Sequence, residues 1–217
     1  MKPLRRRLII ALIATTVVLA GVAGVGLYGL LQGPISSTPA QTSESSITAT
    51  ARPSVVMPLR PLPRTDSPVE YADAVARRLF LWSTTSGHTL EEYESVISED
   101  ADPTRAETSG LVNDLTTYFP TDAQWQQLRG YDTAETVTIQ RADIPATWAP
   151  AAASDPSAAP PGTTAVTIVA VRHRTGSWYG QPTATADPVS FTVFVACQPL
   201  FPRCHILRLS GVNTPLK

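Results

Sequence analysis

Two cysteines, three histidines and a scatter of carboxylates and tyrosines are the groups in this 217-residue chain that could do chemistry. Cys197 and Cys204 are the only cysteines, and they flank Gln198-Pro199-Leu200-Phe201-Pro202-Arg203. A metal centre wants about four ligands, and only His205 stands near the pair. Outside a reducing cytosol a thiol pair closing a hairpin is expected to be oxidised, so the spacing is read as a structural disulfide. His88, His173 and His205 form no Ser-His-Asp or zinc-type spacing, and each is expected to be a surface or satisfied structural histidine. General acid–base chemistry would need a carboxylate base and a hydroxyl donor converging in an apolar pocket. Asp114 or Asp143 with Tyr93 or Tyr118 can be nominated, but nothing in their spacing brings them together. Trp178 and Tyr179, adjacent aromatics beside Gly176 and Gly180, suit a contact site, and simple sheet packing explains them equally well. No catalytic motif is present. The expectation is therefore a non-enzymatic chain with no cofactor and no metal.

The elements that would position these residues change character midway. Helices come first. Ser67-Pro68-Val69-Glu70 offers an N-cap, a proline at the first helical position and a capping-box glutamate. Tyr71, Ala72, Val75, Leu79 and Phe80 then share a face, which predicts a helix to about Trp82. Thr89-Leu90-Glu91-Glu92 opens a second helix with Tyr93, Val96 and Ile97. Thr108 or Ser109 caps a third, carrying Leu111, Val112, Leu115, Tyr118 and Phe119 and stopped by Pro120. A short fourth helix starts at Thr121, carries Trp125 and Leu128, and ends at Gly130.

Glu135–Ile144, Thr163–Arg174, Val189–Cys197 and Cys204–Val212 are rich in Val, Ile, Thr and Phe and read as strands. Pro145–Gly162 reads as a surface loop pinned by Trp148, and Thr175–Gly180 as a hairpin or an irregular edge. The fold class is α+β, with three or four helices on a curved antiparallel sheet of about four strands.

The first third of the chain sets the location. Lys2, Arg5, Arg6 and Arg7 precede 24 uncharged residues, Leu8–Leu31. As a helix this run would extend about 36 Å, enough for a hydrocarbon core of about 30 Å. The basic flank places the N-terminus in the cytoplasm. Ala20/Gly24 and Gly29/Gly33 have the spacing that lets two membrane helices approach closely, and ordinary glycine tolerance explains it as well.

From Pro34 to Pro68, 19 of 35 residues are Pro, Ser or Thr and none is aromatic, the composition of a tether. As a coil it would reach about 30–35 Å. Within it, Val55–Pro63 is more apolar and would lie along the folded domain or a partner, or serve as a stiff linker. The organisation is thus 1–33 tail and anchor, 34–66 tether, and 67–217 an extracytoplasmic domain. Without its four N-terminal basic residues the chain carries 13 basic against 18 acidic residues, a net of −5, which argues against direct nucleic-acid binding.

A basic tail, one span, a tether and a helices-first α+β domain resemble the bitopic assembly proteins of type IV secretion and conjugation machines. TcpC-like conjugal transfer proteins are among them. Tyr71-Ala72-Asp73-Ala74-Val75-Ala76-Arg77-Arg78-Leu79-Phe80-Leu81-Trp82 resembles the family's first helix, and Thr163–Arg174, Val189–Cys197 and Cys204–Leu209 its sheet.

The resemblance implies the cone-shaped fold of the nuclear transport factor and ketosteroid isomerase superfamily. It also implies a non-enzymatic scaffold of a transfer or secretion apparatus, with the membrane and protein subunits as partners and self-association as a further expectation. TcpC-like proteins often carry two such domains, and this chain has room for one. The Ala/Arg/Thr bias, with Lys2 and Lys217 the only lysines, fits an actinobacterial source. The competing expectation is a cone-fold envelope protein that binds a small apolar ligand or lipid between helices and sheet.

Overall fold

The structure is a computed structural model that describes residues 56–157 and 159–216. The expected anchor at 1–33 and the first part of the expected tether lie outside the described residues. Among the described residues no helix is long and apolar enough to cross a membrane.

The helical half forms where its capping chemistry is placed. α1 spans Pro68–Leu79 and is capped by Ser67, whose hydroxyl accepts from the Glu70 amide. Glu70 does not complete the expected box, because its carboxylate takes the Thr65 hydroxyl at 2.9 Å instead. α1 buries Tyr71, Ala72, Val75, Ala76 and Leu79. It stops short of Trp82, which with Ser83 forms the short strand β1 (Trp82–Ser83).

α2 (Leu90–Ser98) and α4 (Asp122–Arg129) each begin with a reciprocal capping box, Thr89 with Glu92 and Thr121 with Gln124. α3 (Thr108–Leu115) has Glu107 at its N-cap without a side-chain cap, so Thr108 lies inside the helix. Tyr118 and Phe119 follow α3 in turns and are still buried.

The second half is a meander. β2 (Ala134–Asp143), β3 (Thr163–Trp178), β4 (Gln181–Ala196) and β5 (His205–Leu209) join β1 in the order β1-β2-β3-β4-β5, every neighbouring pair antiparallel. The fold is α+β, with five helices on a curled five-stranded half-barrel sheet. Bulges at Ile139/Arg141 and Phe194/Val195 add local twist to that curl.

Sequence reading missed three features of this half. The sheet has a fifth strand, at Trp82–Ser83. Within Pro145–Gly162 a short helix, α5 (Trp148–Ser154), packs Trp148 edge-on against Phe194. And β3 and β4 run well past Arg174 and back before Val189, paired without interruption to Trp178↔Gln181. Sixteen residues per strand give an arm about 50 Å long. β4 is exposed from Gln181 to Pro188, where Pro182 and Pro188 make it a poor template for a further strand.

The core lies inside the curl. Phe191 sits against Phe80 and Tyr118, with ring centres 5.8 and 5.2 Å away, and Trp82, Tyr93 and Trp125 form a second aromatic group. Ile168, Val193, Val195 and Ile206 complete it from the sheet. Side chains fill the space between helices and sheet.

Part of the tether belongs to this domain. Leu62 is buried and Leu59 packs against the core. The Arg60 carbonyl accepts from the Arg78 guanidinium, the Met57 carbonyl lies 2.9 Å from His88 Nε2, and the Thr65 carbonyl accepts from the Cys204 amide at 2.8 Å. Of the readings open for Val55–Pro63, the described residues follow the one in which the segment lies along the domain.

Candidate interaction surface

The two ends of the sheet carry different chemistry. At the end where β4 finishes, Cys197 and Cys204 are bonded, with Cα atoms 4.1 Å apart. The intervening loop presents Arg203, whose guanidinium meets Asp100 Oδ1 at 2.7 Å. The Tyr71 hydroxyl donates to the other carboxylate oxygen at 2.5 Å. Burial, then the Asp100 hydrogen bond and charge, push the Tyr71 phenol far above its ordinary value. His205 is buried with Nδ1 at 3.8 Å from Asp100 and its ring edge-on to Phe201. This cluster ties the disulfide loop to α1 and to the end of α2. Asp100 and Arg203 line a partly open hollow of about 460 Å³ beside Leu59 and Leu62, and His205 lines another of about 600 Å³ beside Asp102.

The nominated acid–base residues do not converge. Asp114 is held by Arg208 through both carboxylate oxygens, at 2.7 and 3.0 Å, and also accepts the Leu209 amide. Tyr118 donates to the Ser210 carbonyl at 2.6 Å, and Tyr93 to Ser86 Oγ at 2.8 Å. Asp143 pairs with Arg141 at the far end of β2. His88 lies beside Glu92 and Tyr93, and His173 beside Thr138. Among the described residues no group of three or more His, Cys, Asp or Glu could hold a metal ion. Among the described residues several partly open hollows lie at the surface. One of about 420 Å³ lies between α5 and β4–β5, lined in part by Trp148, Phe194 and Arg208.

A buried charge group crosses the sheet nearer the other end. Glu135 is 1% exposed, and one of its oxygens takes two bonds from Arg174, at 2.9 and 2.7 Å. Arg172 reaches within 3.9 Å of the same oxygen and within 3.6 Å of Asp187. The Arg174 guanidinium also lies 5.8 Å from the Trp82 ring centre. Burial raises the Glu135 carboxyl above the usual range, against the pull of Arg174, Arg172 and the Trp82 indole. This group fixes the hairpin arm onto β1 and β2.

Beyond it lies the tip. Tyr179 and Gly180 form a two-residue turn with φ of 49° and 73°, both in the left-handed region. Trp178 stacks on Tyr131 with centres 5.1 Å apart and meets Tyr179 edge-on at 5.1 Å. The Ser177 amide donates to the Tyr131 carbonyl at 2.7 Å, which locks the arm to the turn before β2. Gly176 is required there, since a Cβ would lie 2.9 Å from the same carbonyl.

Tyr179 is 89% exposed, Trp178 51% and Tyr131 42%. Trp178 and Tyr179, the pair singled out from sequence, thus sit together on an exposed point. Tyr131 is the member sequence reading missed, because only the hairpin's length brings it to them.

The sequence matches no protein-family model, no curated protein and no solved structure.

Proposed function

We propose that this chain is a membrane-anchored, non-enzymatic assembly protein that acts through the surface of its exterior domain. Its finer assignment is to a conjugation or type IV secretion-like apparatus, with protein subunits of that machine, and further copies of itself, as partners. What carries the reading is the contrast between interior and surface. Phe80, Phe191, Tyr118, Trp82, Tyr93 and Trp125 fill the cone where a ligand would otherwise sit, while Trp178 and Tyr179 are turned outward. A filled interior leaves little room for an apolar ligand between helices and sheet. The apparatus itself is inferred from the order of basic tail, apolar run, tether and α+β domain.

The test is crosslinking of the native protein in its own membrane, followed by identification of what it holds. Recovery of secretion-channel subunits or a transfer ATPase is expected. Recovery of itself alone, or of lipid-transport proteins, would overturn the apparatus assignment.

A further inference from the structure

We propose that the aromatic end of the domain rests on the lipid surface in which the chain is anchored, with Trp178, Tyr179 and Tyr131 at headgroup depth. The inference rests on the membrane-anchored reading above and names the partner of one surface of it.

Three observations carry it. The first is where the described chain begins. Val56 packs over Gly87, whose added Cβ would lie 2.8 Å from a Val56 methyl, and Met57 meets His88. That loop starts at Thr84, which is bonded to Thr133, two residues from Tyr131. The tether therefore joins the domain at the end that carries the tip. In sequence, the 24 residues Gln32 to Val55 separate this end from the apolar run Leu8–Leu31, whereas the disulfide end, met at Thr65, stands some ten residues further along.

The second is composition. Val56, Met57, Tyr131, Trp178 and Tyr179 are five of the nine exposed large apolar side chains among the described residues, and all lie at this end. Residues 175–183 carry no charge, and the two charges flanking Tyr131, Arg129 and Asp132, are of opposite sign, so the tip offers no net cation to an acidic peptide or a nucleic acid. Tryptophan and tyrosine are the side chains that prefer a membrane–water boundary, where an apolar body and a polar tip are both accommodated.

The third is shape. A stable protein–protein contact takes about 800 Å² from each partner. Three partly exposed aromatics on a two-residue turn supply well under that, so the tip alone does not hold a second copy, and the protein partners proposed above take the remaining surface of the domain. Tyr179 also holds a left-handed backbone that a bulky residue rarely adopts, while its side chain stays out in solvent. Asparagine would suit that position of the turn better. Within the molecule the tyrosine gains the edge-on Trp178 contact at 5.1 Å, and a contact outside the molecule supplies the further reason for a bulky residue here.

The test uses the full-length chain in phosphatidylcholine vesicles whose lipids are brominated in the upper acyl chain, read by tryptophan fluorescence. Bromolipid quenching is expected, and Trp178→Phe should remove it, because Trp82 and Trp125 are buried and the half-buried Trp148 packs on Phe194 towards the disulfide end. Tyr179→Asn should at least halve the quenching while the thermal midpoint stays level or rises. Equal quenching in wild type and Trp178→Phe would overturn the proposal. So would a Trp178 shielded from aqueous acrylamide yet untouched by bromolipid, since a protein surface would then cover it. An alkaline carbonate wash separates the two readings. A chain that stays with the vesicles without Trp178 quenching keeps its anchor and loses the docking surface, whereas one that washes off loses both.

Discussion

Glu135 shows how one side chain can serve position without serving chemistry. Its carboxylate is almost fully buried, and two arginines from β3 converge on one of its oxygens. Burial outweighs them, so the folded carboxyl holds its proton to a higher pH than the unfolded one. The folded state then binds more protons than the unfolded state from about pH 4.3 upward, and this residue's contribution to stability falls as pH rises through the raised value. Glu135→Gln removes that fall. In urea titrations, the variant is expected to gain on wild type as pH rises from about 4. A wild type that gains on the variant over the same range would show that Arg174 and Arg172 outweigh burial. Glu135→Ala is expected to be less stable than Glu135→Gln near neutral pH, because it also empties a buried site and leaves Arg174 without its partner.

Among the elements, the disulfide loop has reach beyond its own eight residues. The Cys204 amide holds the Thr65 carbonyl, and Arg203 holds Asp100. Loop entropy for a closure of this size is worth about 2.5 kcal/mol. Replacing both cysteines with serine is expected to cost about that much in chemical denaturation. It should also speed amide exchange in the adjoining tether segment while α4 is unaffected, and uniform exchange would show that the loop holds nothing beyond itself.

The elements also show what a sequence can disclose. α2 and α4 were legible because Thr89/Glu92 and Thr121/Gln124 are local, reciprocal bonds written within four residues. The far half of the β3–β4 hairpin was not, because Pro182, Pro188 and a run of Thr and Ala suppress the strand pattern. Its turn was hidden for the same kind of reason, since Tyr-Gly lacks the Asn or Asp that announces two left-handed residues. α5 lay in a Pro/Ala stretch with no cap. Trp178 and Tyr179 could be singled out by type, but Tyr131 reaches them only through the register that pairs Ala134 with Thr175. The bond from Asp114 to Arg208 spans 94 residues, beyond any local pattern.

At the scale of the whole domain two unlike ends stand apart, and the strap from Met57 to Thr65 joins them. It runs from the aromatic end, at His88, to the disulfide end, at Cys204, where α1 begins its return. Without the strap the chain would join the domain near the disulfide, after a tether longer by some ten residues. The strap is held mainly by Leu62 and Leu59. Replacing both with alanine is expected to lower stability by about 2–3 kcal/mol, limited because a surface strap can peel without unfolding the core. The same variant should weaken bromolipid quenching of Trp178 although no residue of the tip has changed. Unchanged quenching would mean that the aromatics find the lipid surface by their own affinity. Lost quenching would mean that chain geometry orients the domain and the aromatics only complete the contact, which makes the strap part of the membrane-facing device.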